Sequence, residues 1–223
     1  MSDMRDKVSL VIFDCDGVLV ETEQQANQLL TQILNEDGLN IDYATCRREF
    51  VGKTLEAVQA RAEAMLGRAL GSDWPNYVRD ETEKVFQDGV YEVPFVGEQI
   101  RFLNEQGMAL CVASSGRISK MKLTLGKSGL LPLLEDVLFS AEMVGKGKPA
   151  PDLFLFAAEE MGVIPHQCAV IEDSVPGVQA GVAAGMRVFG YTGDPHTDKE
   201  ALKKAGATLF DDMRSLPALL ELV

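Results

Sequence analysis

The chain has 223 residues, 46% hydrophobic and 25% charged, a globular balance that excludes wholesale disorder, collagen-like and low-complexity readings. Its 34 acidic against 21 basic side chains give a formal net charge of −13, the wrong sign for a phosphate backbone, so no nucleic-acid partner is expected. No apolar run approaches the roughly 18 residues of a membrane span, and the start from Met1 to Lys7 carries no signal-peptide pattern. A soluble, cytoplasmic protein without a membrane partner, monomeric or weakly self-associating, is the expectation.

The first segment, residues 8–13 (Val-Ser-Leu-Val-Ile-Phe), is short, apolar and rich in β-branched residues, and reads as a strand buried on both faces. The texture then changes. Residues 23–37, 43–50, 55–66 and 74–87 show helical periodicity, with breaks at Gly38, Gly52, Gly67 and Gly71-Ser72-Asp73. From Val93-Pro94 onward strand and helix alternate: a helix over 98–106, a strand over 108–113 and a helix over 118–126. Further strands are expected over 137–139, 168–171, 187–189 and 207–210, with helices in the gaps. Pro151 and Pro176 read as first-turn prolines and Ser215 as a helix cap.

This alternation defines an α/β fold, a doubly wound parallel sheet. Residues 1–20 and 93–223 would form that core, and 21–92 an inserted helical domain. Ligands of open α/β sheets sit beyond the carboxyl ends of the strands. An insert leaving from the end of the first strand is therefore placed to act as a lid. The four cysteines, Cys15, Cys46, Cys111 and Cys168, are widely spaced and include no C-x-x-C pair, so free thiols are expected. Neither His166 nor His196 stands at zinc-ligand spacing from a cysteine.

Four clusters fall at or just past predicted strand ends. Asp14-Cys15-Asp16-Gly17 sets two carboxylates two residues apart, which repel unless a cation or proton intervenes; a solvated turn is the ordinary alternative. Ser114-Ser115-Gly116 precedes a helix, where backbone N–H groups bind anions or a serine merely caps. Lys148 is stiffened by Pro149 and Pro151, although most lysines are solvated. Glu172-Asp173 again sets two acids directly after an apolar run. Four acids converging on one sheet edge need a cation, and oxygen-only ligands point to Mg²⁺ with a phosphate as further ligand.

In order, Asp14-x-Asp16-Gly17, Ser114, Lys148-Pro149-x-Pro151-Asp152 and Glu172-Asp173-Ser174 resemble the four motifs of the haloacid dehalogenase superfamily. The helical insert resembles the cap of its phosphatase and β-phosphoglucomutase branch. The resemblance implies that Asp14 is the nucleophile forming an aspartyl-phosphate and Asp16 the general acid and base. It implies further that Ser114, Ser115 and Gly116 hold the phosphoryl group and that Lys148 neutralises charge. Asp14, Asp173 and the backbone carbonyl of Asp16 would ligate Mg²⁺, with Glu172 behind them. Mutase members use a cap histidine and arginine where this chain has Ala26 and Leu55. Dehalogenase and phosphonate-cleaving members lack the aspartate that is Asp16 here. Hydrolysis of a small sugar or sugar-acid phosphate is the implied activity, with a phosphomutase or a non-catalytic sensor as alternatives. Residues 50–54 would form the cap's specificity loop. There Gly52 makes a tight turn, and Lys53 either touches the leaving group or is an ordinary exposed lysine before a helix capped by Thr54. His196 reads as a loop residue without chemistry, and Trp74 as packing.

Overall fold

The computed structural model describes residues 7–51 and 53–222; the turn expected at Gly52 lies outside the described residues. In chain order the elements are β1 (Leu10–Phe13), α1 (Glu23–Glu36), α2 (Tyr43–Phe50), α3 (Leu55–Leu66), α4 (Trp74–Asp88), α5 (Val96–Glu105), β2 (Ala109–Ser114), α6 (Ile118–Ser128) and α7 (Leu131–Leu134). They continue with β3 (Leu138–Ser140), α8 (Asp152–Glu160), β4 (Cys168–Glu172), α9 (Val175–Ala183), β5 (Arg187–Tyr191), α10 (Lys199–Ala205), β6 (Thr208–Phe210) and α11 (Leu216–Leu219). The chain divides into two compact units: Thr22–Gly89 forms one, and the described residues on either side form the other.

In the α/β unit six parallel strands run in the order β3-β2-β1-β4-β5-β6. All four residues of β1 are fully buried because that strand lies mid-sheet with both faces covered. Leu10, Ile12, Cys111, Ala113, Cys168 and Val170 pack with Leu153, Phe154 and Ala157 of α8 and Val178 and Ala180 of α9. Strand order reverses at β1, with β2 on one side and β4 on the other. Such a reversal opens the crevice in which ligands of this architecture bind.

The helical unit has its own core, built from Leu30, Ile33 and Leu34 of α1, Cys46 and Phe50 of α2, Val58 and Ala62 of α3, and Trp74 and Val78 of α4. The indole of Trp74 donates to Asp37 Oδ2 at 2.9 Å, so its one polar atom is satisfied inside that packing. Asp42 caps α2 by accepting from Thr45 N at 2.7 Å, and Thr54 caps α3 by accepting from Ala57 N at 3.3 Å. Three capping expectations come out differently. Pro151 stands at the N-cap of α8 rather than inside its first turn. Ser215 precedes α11 without a side-chain capping bond. The residue before α6 is Arg117, so neither Ser114 nor Ser115 caps that helix. All four cysteines are free and buried. Among the described residues no helix is long and apolar enough to cross a membrane.

Candidate active site

Register brings the four motifs to one edge. Phe13 pairs with Val112 on one side and Ile171 on the other, and the Asp14 amide extends the ladder to Ile171 O at 2.9 Å. Asp14 thus stands level with Glu172, at the carboxyl ends of the two central strands. Beyond it the chain folds back tightly: Gly17 N donates to Val20 O at 2.9 Å and Leu19 N to Cys15 O at 2.9 Å. Gly17 holds this turn with φ of 78°, in the left-handed region glycine tolerates best. A Cβ there would overlap the Asp173 carboxylate, so the missing side chain lets Asp173 lie against the Asp14–Asp16 loop.

Lys148 joins the outer strands' loops to the centre. Its ammonium is 2.5 Å from Asp14 Oδ1 and 2.7 Å from Glu172 Oε1, with only 4% of its side chain exposed. It also lies 4.9 Å from the centroid of the Phe154 ring, a cation–π contact. The Lys148-Pro149 peptide is cis. The other oxygen of Glu172 accepts from Asp173 N at 3.0 Å, Ser174 N at 2.9 Å and Ser174 Oγ at 2.9 Å. Both oxygens of this fully buried carboxylate are thus satisfied by protein donors, and its visible role is to anchor Lys148 and the loop that carries Asp173.

Crowding of negative charge sets the electrostatics. Burial, followed by the charges of Glu172 and Asp16, pushes the Asp14 carboxyl up to about 7 against the opposing pull of Lys148. For Lys148 burial alone would lower the ammonium's pKa, but Asp14 and Glu172 outweigh it and the net shift is upward.

Asp16 has a partner that the motifs do not announce. Lys120, in the first turn of α6, places its Nζ 2.8 Å from Asp16 Oδ2. Ser114, at the end of β2, is buried, and its Oγ accepts from Gly116 N at 3.1 Å. Gly116 is held in turn by Ser140 Oγ, which donates to its carbonyl at 2.8 Å from the end of β3. Ser115 between them is exposed. Sequence reasoning left Ser140 and Phe154 without a role in the site and gave Lys120 none in the chemistry. The one available signal was position, since each lies at or near the carboxyl edge of the sheet.

Asp14 and Asp173 bring hard carboxylate oxygens to this edge, donors whose chemistry would suit Mg²⁺ rather than a softer ion. The glycine cradle at Gly17, which admits Asp173, fits that arrangement. Among the described residues no three His, Cys, Asp or Glu side chains gather as a metal cluster. Lys53, in the helical unit, is exposed and donates through Nζ to the Glu49 carbonyl. His196 lies in an exposed loop.

A doubly wound sheet with paired acids and a buried lysine at its switch point defines a hydrolase of the haloacid dehalogenase type. The family model "Hydrolase: haloacid dehalogenase-like hydrolase" matches residues 8–185, and the chain belongs to this family. It is 30% identical over 214 residues to the 6-phosphogluconate phosphatase of Escherichia coli (strain K12), covering 96% of this chain and 95% of that protein. It is 33% identical over 186 residues to the fructose-1-phosphate phosphatase of the same organism, covering 82% and 96% respectively. A crystal structure of a HAD family hydrolase from Deinococcus radiodurans R1 with bound phosphate and sodium superposes with a TM-score of 0.84 at 32% identity, covering 97% of each chain.

Proposed function

We propose that this enzyme is a Mg²⁺-dependent phosphatase that hydrolyses a small sugar or sugar-acid phosphate through an aspartyl-phosphate. The observation that carries this reading is the buried Lys148, which bridges Asp14, two residues before Asp16, to Glu172 at the carboxyl ends of the two central strands. The phosphatase relatives support the substrate class.

Asp14 attacks phosphorus; its oxygen–phosphorus bond forms as the ester oxygen–phosphorus bond breaks. Asp16 gives its proton to the leaving alkoxide, then takes one from the water that attacks the aspartyl-phosphate. Phosphate leaves and Asp14 is regenerated. Lys148 offsets charge on Asp14 and on the transferred group. The Ser114 hydroxyl, accepting from Gly116 N, retains its own hydrogen to donate to a phosphoryl oxygen, beside the amide of Ser115, while the Gly116 amide is taken up in orienting that hydroxyl. Mg²⁺, held by Asp14, Asp173 and the Asp16 carbonyl with Glu172 behind them, would offset the repulsion between carboxylate and phosphoryl oxygens. The helical insert, 21–92, would serve as a cap over a core of 1–20 and 93–223, with Lys53 reaching the leaving group. Its action on a soluble metabolite fits the cytoplasm.

The test is a phosphate-release screen over 6-phosphogluconate, fructose 1-phosphate, other sugar phosphates and nucleotides, with EDTA and with Mg²⁺ restored. Turnover that depends on Mg²⁺ and disappears in a folded Asp14→Asn variant is expected. Undiminished turnover in EDTA, or in that variant, contradicts the reading. Isomerisation of a sugar 1-phosphate without free phosphate would make the enzyme a mutase.

A further inference from the structure

The Lys120–Asp16 pair links positions 104 residues apart, one in the loop after β1 and the other in the first turn of α6. Its N–O distance is 2.8 Å, with only 31% of the lysine side chain and 26% of the aspartate side chain exposed. The lysine's aliphatic stem packs along Gly116. A Cβ built there would meet Ser114 Oγ at 3.4 Å, Lys120 Cδ at 3.6 Å and Asp16 Oδ2 at 3.9 Å. The phosphoryl-binding loop, the proposed acid and this lysine therefore meet around one glycine. Ion pairs on an open surface contribute little to stability. This one instead sits against the group assigned to proton transfer.

We infer that Lys120 is a positioning residue for Asp16: by gripping Oδ2 it fixes the plane of the carboxyl group and so the direction in which Asp16 delivers its proton. The inference rests on the reading of Asp16 as the general acid. A carboxyl group attached through two rotatable bonds otherwise sweeps through many orientations, and misplacement by about 1 Å costs on the order of 10²-fold in rate. The benefit falls on one class of substrate. An alkyl phosphate expels an alkoxide that needs the Asp16 proton as the ester bond breaks and the Asp14–phosphorus bond forms. An aryl ester such as p-nitrophenyl phosphate expels a stable phenolate and needs none.

The experiment compares kcat/KM, which reports steps up to departure of the leaving group, for Lys120→Met, Lys120→Arg and Asp16→Asn in the Mg²⁺-loaded enzyme. The substrates are 6-phosphogluconate, fructose 1-phosphate and p-nitrophenyl phosphate, with circular dichroism to check folding. Lys120→Met is expected to lose on the order of 10²-fold on the two alkyl esters and less than about 3-fold on the aryl ester. Lys120→Arg, which keeps charge and reach, should recover most of the alkyl activity. Equal losses on both classes would mean a merely structural role and overturn the inference, as would no loss on either. If Asp16→Asn discriminates between the classes and Lys120→Met does not, the lysine assignment alone fails. If Asp16→Asn does not discriminate either, the acid assignment falls and the inference goes with it.

Discussion

Lys148 shows how a single buried side chain can tie several parts of a fold together. Its ammonium is almost wholly removed from water and offset by two carboxylates and an aromatic face. Deleting one member of such a group strands the others. Lys148→Met should therefore cost about 3 kcal/mol or more in urea unfolding of the metal-free protein at neutral pH, together with most of the phosphate release. Asp14 makes a second prediction at this scale. Its carboxyl is raised from 3.8 to about 7, so the folded state holds its proton more tightly than the unfolded chain does. That contribution to stability is fully present below 3.8 and is lost as pH rises through about 7. In melting curves recorded with EDTA, the stability of Asp14→Asn relative to wild type should accordingly improve between pH 5 and pH 8. A difference that stays constant with pH would refute the assignment.

At the scale of elements, the parallel strands do most to make the site legible. Runs such as Leu10–Phe13 and residues 168–171 are apolar throughout because both faces are covered, so their ends can be read directly, and the polar residues that follow mark the crevice. Side-chain pairing across the crevice is not written locally. Lys120 resembles any helix-surface lysine, and Ser140 any polar strand end, until the fold brings Asp16 and Gly116 to them. The start of α5 was displaced for a different reason. Phe95 adopts a left-handed conformation with φ of 68°, allowing the helix to begin at Val96, two residues before the first charged position of the expected segment. Gly177, in the first turn of α9, gives the element-scale prediction. A Cβ there would overlap the Glu172 carboxyl group, the anchor of Lys148. Gly177→Ala should destabilise by roughly 2 kcal/mol, whereas Gln179→Ala, at an exposed position of the same helix, should be near neutral. Parallel urea titrations of the two variants decide it.

On the scale of the whole molecule, each of the two units carries a hydrophobic core of its own. The change from strand–helix alternation to helices alone falls in the same stretch of chain, where no strand pattern interrupts the helical periodicity between α1 and α4. The substrate is not readable in the same way: the motifs encode phosphoryl chemistry, whereas the leaving group is recognised by side chains that no general rule fixes. The separate cores predict separable effects. Leu34 is fully buried among the helices of the second unit, and Leu34→Ala should cost about 3 kcal/mol there. Faster hydrogen exchange confined to residues 22–89, with exchange in the other unit unchanged, is the expected result. Exchange that rises equally throughout would mean that the units unfold as one.

The shielded thiols carry a practical consequence. Cys46 lies in the helical unit, and Cys15, Cys111 and Cys168 in the α/β unit, all buried, with burial raising each pKa and keeping the reactive thiolate scarce. An alkylating reagent therefore finds nothing to modify until a unit opens. The mass tag it then leaves records which half of the polypeptide breathed first, so the native chain already carries a clock for its own fluctuations, with no engineered label.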